Sequence, residues 1–478
     1  MSRIANPQAA NSQAANSQSI NTETQKTTWI KNPLAIYSGS QHDARSGIVV
    51  QGNIIKELVA LNAEPSQPVD NVVDAKNHVV TPGLINAHHH FYQTLTRAYP
   101  DALDKELFNW LKTLYPVWAG LDEEMHALST EVALVEMMMS GCTTASDHHY
   151  LIPVGLEHAI DIQVDVAKNL GIRAILTRGS MSLGEDDGGL PPRHTIQTEQ
   201  TIIDDSLRLI EQYHQREDGA MTQIALAPCS PFSVTTDLMK ETSRIAHREN
   251  VMMHTHLCET IDEEEFCLKR FGYRPVDYLE NVGWLNDKTW LAHGIHFNDE
   301  EIQRLGKAGV GISHCPTSNM MLASGICRNN ELEAAGVKVG LGVDGSASND
   351  GSNMIAEVRM AMYLQRLRYG SANVSHFDAL RWATKGSATA MGRSDIGELA
   401  VGKQADIAMF TLDDIRFSGS HDPLAALIMC GAQQADRVMI NGEWRVHDGH
   451  VIGLDLEALL IQHRHAAKRL AEKAMKLR

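Results

Sequence analysis

Beyond residue 83 the apolar positions alternate between two rhythms, short runs of strand character and longer segments of helical period. The runs predict strands over 84–90, 143–148, 173–177, 223–227, 251–256, 289–293, 309–314 and 338–344. Most of the gaps between them carry helical period. The segment 130–139 is one, closed by Gly141 where a helix C-cap would put it. Eight such repeats predict an α/β fold, a (β/α)8 TIM-type barrel, whose chemistry sits at the C-terminal ends of the strands. Five of the runs end in or beside His or Asp, at His88 and His90, Asp147 and His148, His256, His293, and Asp344; the run 309–314 also ends in His314.

The flanks read differently. Short β-like stretches at 34–37, 47–50, 53–55 and 78–80 precede the barrel, separated by turn residues. After a helix predicted over 375–392, the stretch 397–410 returns to turn-and-strand chemistry, and 438–442 continues it with the hairpin signal Asn441-Gly442. The simplest architecture is a small β-sandwich domain built from both chain ends, residues 28–82 and 395–453, around a catalytic barrel of 83–394 and before a C-terminal surface helix of 454–478. Residues 1–27 are almost wholly polar and repeat Ala-Ala-Asn-Ser-Gln at 9–13 and 14–18. They are expected to form a disordered tail, and they lack the apolar middle of a secretion signal.

Charge narrows the partners. With 42 basic and 59 acidic residues the formal charge is −17, a field that repels phosphate backbones and anionic lipid heads. Nucleic acid and membrane are therefore not expected as partners, and no run approaches the roughly 18 uninterrupted apolar residues of a spanning helix. A neutral small-molecule substrate and a homo-oligomeric assembly are expected. Seven scattered cysteines without a CxxC pair fit the reducing cytoplasm.

The candidate chemistry starts where the run 84–90 ends in three histidines. In an extended strand His88 and His90 share one face while His89 points away. Two imidazoles on a face are half of a metal site, and a catalytic site needs about three or four protein ligands with one position open. On these residues alone the histidines could equally be a polar strand end, and His254 and His256, also on one face, cannot be told apart by spacing.

Four motifs in order carry a resemblance. Pro82-Gly83-Leu84-Ile85-Asn86-Ala87-His88-His89-His90, His256-Leu257-Cys258-Glu259, Leu291-Ala292-His293-Gly294 and Gly342-Val343-Asp344-Gly345 together resemble the amidohydrolase superfamily over nearly the whole chain after the tail. The resemblance implies that His88, His90, His256 and Asp344 bind one divalent metal, Zn²⁺ with Fe²⁺ as the alternative. It prefers His256 to His254, which then reads as a hydrogen-bonded interior histidine. It also implies a catalytic set of Glu259, His293 and Asp344, with Glu259 shuttling protons and the metal lowering the pKa of its water to roughly 7. Binuclear members carry a bridging Lys or Glu at the fourth strand; here 223–227 runs into Pro228-Cys229-Ser230-Pro231-Phe232, so one metal is expected. The HxE with PCxxC pattern of the smaller deaminases and the HExxH helix of metalloproteases are absent.

Within the superfamily the stretches 88–98, 111–118 and 227–233 are similar to 8-oxoguanine deaminases, a group near the triazine hydrolases. Gln93 stands where guanine-type deaminases carry a substrate-binding Gln, and its amide offers a donor and an acceptor to a purine edge. Cys229 is a further candidate contact. His148 is read either as a substrate contact or as a neighbour that orients a ligand. The implied activity is hydrolytic deamination of 8-oxoguanine to urate and ammonia. The alternatives are an aminohydrolase of a triazine, pterin or guanine, and an inactive ligand-binding scaffold.

Overall fold

The computed structural model describes residues 25–477; most of the expected tail, 1–24, lies outside the described residues. Eight parallel strands lie in sequential order: Leu84–Asn86, Cys142–His149, Arg173–Ser180, Thr222–Pro228, Met253–Leu257, Thr289–His293, Gly311–His314 and Lys338–Leu341. Hydrogen bonds across the seam, Ala87 N to Leu341 O at 2.9 Å and Asp344 N to His88 O at 3.0 Å, bring the eighth strand back to the first. The expected barrel is therefore present.

Strand ends differ from the hydrophobic pattern in instructive ways. The first strand stops at Asn86 rather than His90. There the side chain takes over from the ladder, Asn86 Nδ2 donating to Ser146 O at 3.2 Å and Asn86 Oδ1 accepting from Val343 N at 2.9 Å. The eighth strand likewise ends at Leu341, three residues short of Asp344. The predicted helix 375–392 is divided into His376–Arg381 and Ser387–Ala390 by a wider π turn, Trp382–Gly386. Close packing accompanies the division: a Cβ on Gly340 of the eighth strand would lie 2.6 Å from Ser387 Cα.

The helix that leads into the second barrel strand shows how local sequence and packing agree. It spans Glu123–Met139, longer than the predicted 130–139, and Asp122 caps it by accepting from Met125 N. Glu123 and Glu124 in the first turn complement its dipole. Gly141 beyond its end has φ +94°, and a Cβ there would meet the Phe410 ring at 2.6 Å, so glycine serves both the turn and the close approach. The C-terminal helix Leu456–Leu477 buries Leu459, Ala466 and Leu470, and its His463 Nε2 lies 3.1 Å from Thr94 Oγ1, in the turn that follows His90.

Two further sheets come from the chain ends. One contains Ile54–Val59, Gly47–Gln51, Thr27–Lys31 and Asn71–Asp74; the other joins Ala35–Ile36 and His78–Pro82 to Ile407–Thr411 and three strands beyond it. Ile407 pairs antiparallel with Pro82, and Ile30, Ile48, Val50 and Val80 share one apolar cluster with Ile407, Met409 and Met439. The strand Asn71–Asp74 escaped the pattern because it is largely exposed and lacks an apolar face.

Sheet and barrel are joined by a buried ion pair. Arg173, at the start of the third barrel strand, donates Nε and Nη2 to Asp406 Oδ2 and Oδ1 at 3.0 and 3.1 Å, and Asn441 N also donates to Asp406 Oδ1 at 2.7 Å. Removing one partner strands a guanidinium that has no solvent exposure. Asp406→Ala is expected to cost about 3–5 kcal/mol, read as a lowered midpoint in urea unfolding; a loss below about 1 kcal/mol would show that the junction does not depend on the pair.

Candidate active site

The positions of four protons organise the site. His254 Nδ1 lies 2.8 Å from Trp290 O; a carbonyl only accepts, so that nitrogen carries the proton and Nε2 is left as an acceptor. His88 Nδ1, 2.7 Å from His254 Nε2, must then donate, which leaves His88 Nε2 as a bare lone pair. The same reasoning holds for His90, whose Nδ1 donates to His148 O at 2.7 Å, and for His256, whose Nδ1 donates to Cys229 O at 2.6 Å. Three unprotonated Nε2 atoms therefore converge. His90 Nε2 and His256 Nε2 are 3.2 Å apart, and Asp344 Oδ1 stands 3.3 Å from His88 Nε2 and 3.4 Å from His90 Nε2.

No hydrogen bond can form among these four atoms, because none holds a proton to share. Burial pushes the pKa of each of the three imidazoles below its ordinary value, keeping the neutral form that binds metals. Lone pairs and a carboxylate packed this closely repel one another unless a cation lies between them, so the donor set fits one divalent metal. His88 Nε2 is buried without any hydrogen-bond partner. His254 cannot join the set, since both of its nitrogens are already used.

Beside this cluster stand His293 and Glu259. Asn319 Nδ2 donates to His293 Nδ1 at 2.9 Å, so His293 Nε2 bears the proton and faces Glu259 Oε2 at 3.4 Å and Asp344 Oδ2 at 3.9 Å. Burial draws the His293 pKa down to about 4, keeping the ring neutral. Burial, joined by the nearby Asp344 and Glu263 carboxylates, pushes Glu259 well above the usual carboxylate range. Cys258, His293 and Asp344 have φ of +54°, +71° and +64°. Left-handed backbone at non-glycine residues costs on the order of 1–3 kcal/mol each and persists only where the surroundings over-determine it.

A cavity opens over these groups. His90, His256, Glu259, His293 and Asp344 form its polar floor, and Gln93, Cys229, Tyr115, Tyr150 and Ser348 are further lining residues beside an apolar wall that includes Trp110, Leu111 and Phe232. Gln93 Oε1 accepts from Ala347 N at 3.3 Å. A Cβ on Gly345 would lie 1.9 Å from that oxygen, so the glycine after Asp344 makes room for the amide. Burial pushes the Cys229 thiol up to about 12, so it stays protonated. His148 does not line the cavity. Its ring stacks on His256 at 4.6 Å and 21° and donates Nε2 to Ala227 O at 3.0 Å, which is the geometry of a neighbour that orients a ligand rather than of a substrate contact.

Sequence reasoning missed the short helix Pro316–Met321. Ser318 Oγ donates to Asp344 Oδ2 at 2.6 Å, and Asn319 fixes His293; neither residue belongs to a motif, and only tertiary placement reveals them. Asp147, near the end of the second strand, has a structural part. It accepts from Phe91 N at 2.6 Å and from Gln163 Nε2 at 2.7 Å, and so holds the turn after His90.

Residues 79–445 match the model of the Amidohydrolase family. The chain is 64% identical over 443 residues to an 8-oxoguanine deaminase from Pseudomonas aeruginosa, covering 93% of this chain and 99% of that one. It is 33% identical over 471 residues to an isoxanthopterin deaminase from an unknown prokaryotic organism, covering 94% and 98%. A crystal structure of atrazine chlorohydrolase from Arthrobacter aurescens TC1 complexed with zinc is similar at a TM-score of 0.87 and 30% identity, over 92% of this chain and 100% of that one.

The lone-pair cluster generates a direct expectation. His90→Ala removes one of the converging donors and should lose most of the bound divalent metal while circular dichroism still reports a folded barrel. Elemental analysis decides it: full occupancy in the variant would release His90 from the set, and two metal ions per parent chain would end the single-metal assignment.

Proposed function

This chain belongs to the amidohydrolase family, and from that premise we infer that it is an aminohydrolase of cyclic amidines that converts 8-oxoguanine to urate and ammonia. The observation that carries the reading is the convergence of three imidazole lone pairs and Asp344 beside a buried, protonatable Glu259. The choice of substrate is supported by the 64% identity to the 8-oxoguanine deaminase. We assign one divalent metal to His88, His90, His256 and Asp344, and favour zinc on the zinc-complexed structural neighbour. When bound, such a cation supplies the Lewis acidity that makes hydroxide available near neutral pH.

The chain's own groups then handle the protons. Glu259 takes a proton from the attacking water and passes it to the ring nitrogen next to C2 as that carbon becomes tetrahedral. A second proton, from the new C2 hydroxyl, reaches the exocyclic amine, which leaves as ammonia while the C2 carbonyl forms. His293 presents Nε2–H toward Glu259 and Asp344, orienting the oxygen that adds to C2. Gln93 offers its amide to the purine edge, and Cys229 contacts another part of the ring. The inactive-scaffold alternative has this geometry against it, since a site with no metal to hold has no use for three convergent lone pairs. All seven cysteines are free, which supports work in the reducing cytoplasm. Among the described residues no helix is long and apolar enough to cross a membrane.

Two measurements test the reading. Glu259→Gln preserves size but not the ability to shuttle a proton, and turnover should fall by at least ~10²-fold with metal retained; near-normal turnover would reduce Glu259 to a structural part. Kinetics on 8-oxoguanine, guanine and an aminotriazine should rank kcat/KM in that order. A site built around a substrate oxo group can reject an analogue lacking it by up to ~10⁴-fold, because its own polar groups are left unpaired. Equal activity on guanine would remove the 8-oxo preference, and a faster triazine would promote the alternative substrate class.

A further inference from the structure

Glu357 touches no part of the cavity, yet its carboxylate is 2% exposed and ties together the two segments on which the proton-transfer group depends. One oxygen accepts from Thr317 N at 2.8 Å; the other accepts from Thr317 Oγ1 at 2.7 Å and from Asn349 Nδ2 at 3.1 Å. Thr317 immediately precedes Ser318 and Asn319, which bond Asp344 Oδ2 and His293 Nδ1. Asn349 Nδ2 also donates to Val343 O at 2.6 Å, the carbonyl joined to Asp344 N. The geometry points to Glu357 as a positioning residue that sets the register between Asp344 and His293.

Its own helix does not explain the carboxylate. The helix Met354–Tyr369 is already capped by Asn353, whose side chain accepts from Ala356 N, so Glu357 is free to serve the neighbouring segments. The residues it controls are those that need holding, since His293 and Asp344 both sit at positive φ and such backbone relaxes when its restraints are cut. One strap runs from Glu357 through Thr317 to the faces of Asp344 and His293 turned away from the metal cluster. The other runs through Asn349 to the backbone of Asp344. A single side chain thus couples the loop after the seventh barrel strand to the loop after the eighth. The inference rests on the reading of Asp344 and His293 as catalytic groups, and its test includes a readout that needs no substrate.

Glu357→Gln sets an amide donor against either Thr317 N or the pair Thr317 Oγ1 and Asn349 Nδ2, and Asn349 cannot turn over to compensate without losing Val343 O. Misplacement of reacting groups by about 1 Å can cost ~10²-fold. The variant should therefore lose roughly 10- to 100-fold in kcat with KM within about threefold and metal content unchanged, and the acid limb of its kcat–pH profile should move. Loaded with Co²⁺, it should show visible d–d absorption bands displaced from those of the parent, as Asp344 shifts. Glu301→Gln is the control, a carboxylate equally buried at 2% exposure that binds Arg274 and Asn298 N on an outer helix; it should lower Tm without changing the pH profile or the bands. If Glu357→Gln behaves like Glu301→Gln, or if it loses the metal outright, the positioning role is overturned. A parent that turns over no aminated heterocycle would overturn the functional reading instead, while the cobalt bands still decide the role of Glu357.

Discussion

The site depends on where three Nδ1 protons are placed, and the barrel places them through its own backbone. His90 is oriented by the carbonyl of His148 on the second strand, His256 by that of Cys229 just past the fourth, and His88, by way of His254, by that of Trp290 on the sixth. A free imidazole exchanges its tautomers readily; here each ring is locked by a carbonyl that belongs to the strand framework. Closing the barrel and preparing the lone pairs are therefore one event. The electrostatic cost of holding them so close falls on the folded state, and a cation relieves it.

The same economy governs the acidic side of the site. Asp344 gives one oxygen to the lone-pair cluster and the other to Ser318, while Glu259 is pushed upward by its burial and, secondarily, by the Asp344 and Glu263 charges. Two carboxyl groups that meet the same burial differ in what they face: Asp344 Oδ1 lies against the imidazole lone pairs, where the proposed cation would sit, and Glu259 lies against His293 and Ser324. A bound cation stabilises Asp344 as an anion and also eases the ionisation of Glu259, bringing that carboxyl toward the range in which it can exchange protons with water and ring. His293, neutral at ordinary pH and fixed by Asn319, adds a donor to this arrangement without adding a charge.

Much of this was legible in the chain, and the reasons for the rest are physical. Short runs of strand character located all eight barrel strands, because strands buried on both faces tend to be near-continuously apolar. They misjudged strand ends at 86 and 341, where Asn86 substitutes its side chain for the ladder and where Val343 turns toward it; hydrophobicity carries no record of such exchanges. The alternation of His88, His89 and His90 survives the loss of formal pairing, since the chain stays extended and His89 bonds Ser352 on the other side. Spacing could not separate His254 from His256, because the distinction lies in what each ring meets across the barrel. Ser318, Asn319 and Glu357 were invisible for the same reason: each acts on residues that are distant in sequence, and a lone Ser, Asn or Glu on a helix resembles any solvated one.

The elements that hold the chemistry and those that shape the cavity are largely different, and this separation bears on how such a site changes substrate. The lone pairs are fixed by strands and by bonds to strand carbonyls, whereas Trp110, Leu111 and Tyr115 lie on the helix Leu107–Trp118 and Phe232 on the loop after the fourth strand. That helix packs its apolar residues into the main core but makes none of the hydrogen bonds that set the imidazole tautomers. Replacing a side chain on it alters the cavity above the lone-pair cluster and leaves the hydrogen bonds that set the donors in place. Gln93 is the exception. It sits in the turn Phe91–Thr96 directly after His90, against Gly345 directly after Asp344, so the one polar group proposed to read the purine edge is wired to two of the proposed metal ligands. Any substitution that moves Gln93 presses on both, which makes recognition at that edge the least adjustable part of the pocket and the apolar wall the most.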